Sequence, residues 1–165
     1  MSLVLNIIEL IKVRNELKKQ NKKVVFTNGV FDILHAGHVD YLIKAKKLGD
    51  VLIVAVNSDS SVKKIKGDLR PVVPQNERAF IISQLKPVDY VTIFDEETPY
   101  EVIKKLIPDV LVKGADWSKD KIVGADIVES NGGKVETIKF VNNTSTTNII
   151  KTVLEKFKKE WTKKI

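Results

Sequence analysis

The chain has 165 residues, 43% of them hydrophobic and 30% charged, with a formal net charge of +7 and no cysteine. This length suits one domain with a core of ordinary proportions; the lack of cysteine excludes a disulfide framework and a zinc–thiolate site, and no apolar run approaches the roughly 20 residues of a bilayer span. The positive excess is lysine scattered over helical stretches and the chain ends, and arginine occurs only as Arg14, Arg70 and Arg78, a pattern of solvated helix faces rather than a nucleic-acid stripe. Residues 1–10 lack the basic and then apolar leader of a secreted chain. The expectation is a cytoplasmic protein with no nucleic-acid and no membrane partner.

In chain order, residues 5–19 set Ile8, Ile11, Val13 and Leu17 in an otherwise polar run, predicting a leading amphipathic helix. Five short apolar, β-branched runs follow at 24–27, 51–56, 90–93, 110–112 and 135–138. Between them lie helical stretches at 39–47, 75–85, 99–106 and 124–130, and a closing helix spans 146–159. Strand and helix alternate as βα units, and strands apolar on both sides belong in a parallel sheet covered on both faces. The expected fold is a single-domain, Rossmann-like α/β architecture over residues 1–165: a doubly wound five-stranded parallel sheet, its core at 24–153, flanked by terminal helices.

In such a sheet ligands bind beyond the carboxyl ends of the strands, where the winding reverses. After the first expected strand come residues 27–38, TNGVFDILHAGH, holding the chain's only histidines, His35 and His38. Three apart at the start of a helix, their imidazoles share a face, and the helix amides there favour an anion. Two imidazole donors at this point suit the oxygens of a triphosphate and the charge gathering on a departing pyrophosphate. A metal-binding pair, or a helix cap beside a packed histidine, would use the same residues. Gly29 lets backbone approach a phosphate closely. Neither a P-loop nor a dinucleotide-binding glycine string occurs.

Residues 29–32 (GVFD) followed by 35–38 (HAGH) resemble the signature of the HxGH cytidylyltransferase-like nucleotidyltransferases. Residues 111–117 (LVKGADW) and 145–150 (STTNII) stand where that superfamily has later nucleotide-contacting loops. More narrowly, VAVNSD at 54–59, KGDLRPVVP at 66–74 and STTNII are similar to the adenylyltransferase domain of ADP-heptose synthases. Two departures are visible. The arginine-bearing last loop of glycerol-3-phosphate cytidylyltransferases has no arginine here, and Gly114-Ala115-Asp116-Trp117 replaces the Gly-Gly-Asp-Tyr common in the heptose enzymes.

The resemblance implies transfer of AMP from ATP, which brings Mg²⁺, to D-glycero-β-D-manno-heptose 1-phosphate. Cytidylyl transfer to a polyol phosphate and nucleotide binding without turnover are the alternatives. His35, His38 and Lys46 would act on the phosphates. Asn28, Gly29, Phe31, Asp32, Gly37, Lys113, Gly114, Asp116, Ser145 and Thr146 would bind the nucleotide, with Asp32 positioning His35 or a magnesium-bound water. Arg70 and Arg78 would hold the sugar phosphate. A homodimer and a separate upstream sugar kinase complete the expectation.

Overall fold

A computed structural model describes residues 3–115, 121–139 and 144–161, of which 159–161 as backbone only. Six parallel strands, β1 Leu3–Val4, β2 Val24–Gly29, β3 Val51–Asn57, β4 Tyr90–Phe94, β5 Val110–Gly114 and β6 Lys134–Ile138, form one sheet in the order β1-β4-β3-β2-β5-β6. Five are the expected strands. The sixth is the edge strand β1, which pairs Leu3 with Tyr90 and Val4 with Val91; two residues are too few to carry a period of two. The leading helix α1, Ile7–Lys19, therefore starts later than the sequence suggests. Its start is fixed by a capping box, in which the Asn6 side chain accepts the amides of Ile8 and Glu9 while the Glu9 carboxylate accepts the amide of Asn6.

The remaining helices are α2 Ala36–Lys46, α3 Asp59–Lys66, α4 Gln75–Ser83, α5 Tyr100–Leu106, α6 Ala125–Ser130 and α7 Thr146–Trp161. Helix α3 is absent from the sequence expectation because its residues, DSSVKKIK, are mostly polar; Ser58 starts it by accepting the Ser61 amide at 3.2 Å.

Alternation along the strands builds two cores. Val24, Phe26, Ile53 and Leu111 face α1, α5 and α6 through Leu10, Ile103 and Val128. Val25, Leu52, Val54 and Val112 face α2 and α4 through Leu42, Ala45, Ala79 and Ile82. Helices thus cover both faces of a doubly wound sheet.

The winding reverses between β2 and β5. β2 pairs with β3 along six residues, Val24↔Val51 to Gly29↔Val56, but with β5 only at Val25↔Val110 and Phe26↔Leu111. Past those two pairs the neighbouring strands part, and their carboxyl ends diverge into the loops carrying the histidines and Lys113.

Leu111, fully buried beside this parting, holds the two strands through the first core. Leu111→Ala is expected to lower stability by about 2–5 kcal/mol in urea unfolding, with unchanged denaturant dependence; a loss under about 1 kcal/mol would contradict that packing.

Candidate active site

The loop leaving β2 turns sharply so that it can enter α2. Phe31 adopts a left-handed backbone, φ 48°, an unusual state for an aromatic residue, and its buried ring meets His38 edge-on, with centroids 5.3 Å apart and planes at 69°. Gly29 makes this possible, since a Cβ there would sit 3.0 Å from the Phe31 ring. His35 is the residue capping α2, but its side chain makes no capping bond. Its ring instead stacks on His38 at 3.8 Å between centroids, planes at 26°. Gly37 leaves room for that stack; a Cβ there would lie 3.1 Å from the His35 ring. Both glycines of the motif are thus explained by ring packing.

Neither imidazole Nδ1, each shielded from solvent, has a hydrogen-bond partner among the described residues. Burial lowers the His35 pKa, and burial followed by the charge of His35 pushes His38 down to about 4. Two stacked imidazoles cannot readily both be charged, so near neutral pH the pair is a neutral donor set, stabilised in the charged form only when an anion arrives.

Two further walls adjoin this turn. The N-terminus of α7 approaches through Thr146, whose hydroxyl donates to the carbonyl of Ile33 at 3.4 Å; Ser145 caps the helix by accepting the Asn148 amide at 3.1 Å. Free amides of that first turn favour an anion beside the histidines. On the other side Lys113, near the end of β5, donates to the side-chain oxygen of Asn28, a side-chain bridge spanning the parted strands; Gly114 is the last β5 residue, paired with Ile138. Next to that bridge opens a cavity of ≈ 370 Å³ lined by Asn28, Gly29, Asn57, Lys66, Glu97 and Lys113, among others. No role was assigned in the sequence to Lys66, Asn57 or Glu97: Asn57 lies in the VAVNSD string and Lys66 in the KGDLRPVVP string, but nothing in the spacing shows that they line the cavity.

Three expectations are at odds with the geometry. Lys46, at the far end of α2, donates to the Asp89 carboxylate and, at 2.5 Å, to the Asp50 carbonyl. It lies two turns, about 12 Å, from His38, at the opposite end of the sheet, because a helix returning from a strand's carboxyl end must finish near the amino end of the next. Asp32 makes no hydrogen bond to His35 among the described residues. Its buried carboxylate accepts Arg70 Nε at 2.5 Å and the amides of Val72 and Val73 at 2.8 and 2.9 Å, which fixes the 67–74 loop against the histidine loop. Arg78 has a fully buried side chain whose three nitrogens are all engaged. Nε donates to Val73 O at 2.8 Å, one terminal nitrogen to Val30 O at 2.6 Å and the other to Asp59 at 2.7 Å. It is a clamp joining the loops, its fully buried side chain turned to protein acceptors rather than to an open sugar-phosphate site. Arg70 uses only Nε on Asp32, so its terminal nitrogens can still take a phosphate. Asp116 lies outside the described residues.

An imidazole pair lies at the topological switch point, with a helix N-terminus on one side and a lysine-lined cavity on the other, an arrangement suited to an anionic ligand. The family model described as cytidylyltransferase-like matches residues 26–154, and the chain belongs to that family of nucleotidyltransferases. It is 57% identical over 143 residues, 87% of its length, to the bifunctional protein HldE of Nitratiruptor sp., and 52% identical over 143 residues to that of Geobacter sulfurreducens. It spans only 30% and 29% of those relatives. Among solved structures, a lipopolysaccharide core biosynthesis protein from Thermoplasma volcanium is 32% identical, with a TM-score of 0.59 over 74% of this chain and 99% of that one. A pantoate–β-alanine ligase from Francisella tularensis, 18% identical, shares the fold at a TM-score of 0.61 over 84% of this chain and 67% of its own.

The imidazole pair makes a pH prediction. A histidine with a folded pKa near 4 against 6.5 unfolded binds fewer protons when folded, so its stability is complete above about pH 6.5 and is lost as pH falls toward 4. His38→Asn is expected to flatten that loss in pH-dependent thermal melts; the same acid sensitivity in the variant would refute it. Arg78→Lys, leaving buried acceptors unmet, is expected to cost about 1–3 kcal/mol in the same assay, not merely to weaken sugar-phosphate binding.

Proposed function

We propose that this domain transfers AMP from ATP to D-glycero-β-D-manno-heptose 1-phosphate, releasing pyrophosphate. The observation that carries the reading is the neutral His35–His38 stack facing the N-terminus of α7, with the lysine-lined cavity beside it. The triphosphate lies along the histidines and the α7 amides, its β and γ oxygens taking the imidazole donors. The acceptor occupies the cavity, its phosphate drawn to Lys66 and Lys113. An acceptor phosphate oxygen attacks the α-phosphorus in line, forming the new P–O bond as the bond to the bridging oxygen breaks. The electron pair leaves on pyrophosphate, whose growing charge the imidazoles meet. No covalent enzyme intermediate is needed.

Magnesium belongs to this proposal as the ion the triphosphate carries; among the described residues no cluster of three His, Asp or Glu side chains could hold a metal. The choice of a heptose acceptor rests on the similarity to the bifunctional HldE proteins and to the lipopolysaccharide core biosynthesis protein. A sugar kinase activity supplying the acceptor is part of the same proposal. So is a homodimer, which the exposed Val153, Leu154 and Phe157 on α7 would favour. None of the helices among the described residues is long and apolar enough to cross a membrane.

Pyrophosphate release decides the function, with ATP and CTP each tried against heptose 1-phosphate and glycerol 3-phosphate. Release confined to ATP with the heptose is expected. The double variant His35→Ala/His38→Ala should lose about 10²–10³ in kcat, and Lys66→Ala should raise the acceptor KM about tenfold with that of ATP nearly unchanged. Release with CTP and glycerol 3-phosphate would keep the mechanism and overturn the substrates, and silence with every pair would overturn the reading of an active heptose enzyme.

A further inference from the structure

Where β2 and β5 stop pairing through their backbones, a chain of two buried hydroxyls takes over. Thr27, the first β2 residue past the last β2–β5 pair, is fully buried, and its Oγ1 donates to the carbonyl of Val112 on β5 at 3.0 Å. The same oxygen lies 2.7 Å from the hydroxyl of Tyr41, a residue 4% exposed on α2. A carbonyl can only accept, so with the Thr27 proton donated to Val112 the Thr27 oxygen is left to accept from the Tyr41 hydroxyl, giving the direction Tyr41 to Thr27 to Val112.

This relay joins the three elements that carry the candidate site. Tyr41 is one helical turn beyond His38, on the adjoining stretch of α2. Thr27 immediately precedes Asn28 and Gly29, and Val112 immediately precedes Lys113. Phenylalanine and valine would fill nearly the same space, so packing alone does not call for two hydroxyls here. What the hydroxyls add is direction: a hydrogen bond has a preferred length and angle that apolar contact lacks. In a gap without backbone ladder bonds, that direction sets the distance between the imidazoles and Lys113.

We propose that Tyr41 is a positioning residue for nucleotidyl transfer, registering the histidine turn of α2 against the diverging ends of β2 and β5 through the hydroxyl of Thr27. In this role Tyr41 acts through the placement of His38 and Lys113. The proposal rests on the nucleotidyl-transfer reading for its kinetic consequence, while the placement of the imidazoles is observable without turnover.

The test pairs Tyr41→Phe with Thr27→Val, singly and together, in the full chain. With only two histidines in the sequence, the imidazole C2–H region of the proton spectrum holds two signals, each sensitive to the ring stack. Tyr41→Phe is expected to displace both signals in the substrate-free protein and, well below its melting temperature, to lower kcat about tenfold with the KM for ATP little changed. The double variant should lose no more than the worse single one, because both changes break one relay. Val88→Ala, in the same core but at the amino end of β4, serves as a control: it should lose comparable thermal stability and keep kcat and both imidazole signals. Unshifted signals in Tyr41→Phe, multiplying losses in the double variant, or an equal kcat loss in Val88→Ala would overturn the proposal. If the wild type itself releases no pyrophosphate, the functional reading fails, and the imidazole signals alone decide the relay.

Discussion

The parting of β2 from β5 is the constraint on which the site depends. A parallel sheet satisfies its backbone groups only while neighbours run side by side, and here the ladder between these two strands ends at Phe26 and Leu111, whereas β2 and β3 remain paired as far as Gly29. The amides and carbonyls beyond must find other partners or meet a ligand. Thr27 supplies one substitute by donating to Val112, and the Asn28–Lys113 bridge spans the gap with side chains. The resulting opening is polar, flanked by the start of α2 and approached by the start of α7, and so suits an anionic ligand.

Charge in the neighbourhood is organised to keep that opening receptive. Asp32 and Arg78, two buried charged residues beside the histidine loop, are engaged with protein partners. They fix the 67–74 loop, and with it the left-handed turn at Phe31 that orients His38. Burial lowers the pKa of both imidazoles, and the charge of His35 lowers that of His38 further, so an arriving anion would raise the proton affinity of these donors. Rigidity is concentrated around the loop, while the ligand-facing groups, the imidazoles, Lys66 and the terminal nitrogens of Arg70, remain uncommitted or nearly so.

Most of the fold was legible because its strands are short, apolar and β-branched, and parallel strands buried on both faces announce themselves without alternation. Leu3–Val4 escaped because two residues carry no period, and α3 because only Val62 and Ile65 interrupt its polar run. At the site, the histidine motif could be read from composition and spacing. Phe31's ring contact, which explains Gly29, could not, since it depends on a backbone turn rather than on a pattern. Lys46 was misplaced for a reason the sequence did contain: eight residues of helix carry a side chain some 12 Å away from His38. Arg78 was misread because rare arginine suggested a ligand, whereas a buried guanidinium can equally well serve three backbone and carboxylate acceptors. Tyr41 and Thr27 gave no signal, because a tyrosine on the buried side of a helix is indistinguishable in sequence from ordinary core.

The central claim, that the triphosphate is gripped by a neutral histidine pair where the sheet winding reverses, is tested most directly by a crystal structure with a non-hydrolysable ATP analogue. The account predicts phosphate oxygens within hydrogen-bond distance, about 3 Å, of both His35 and His38 and facing the first turn of α7, with the base lying beyond β5. A triphosphate seated in the cavity beside Lys66 and Glu97, with the imidazoles making no contact to it, would contradict the account.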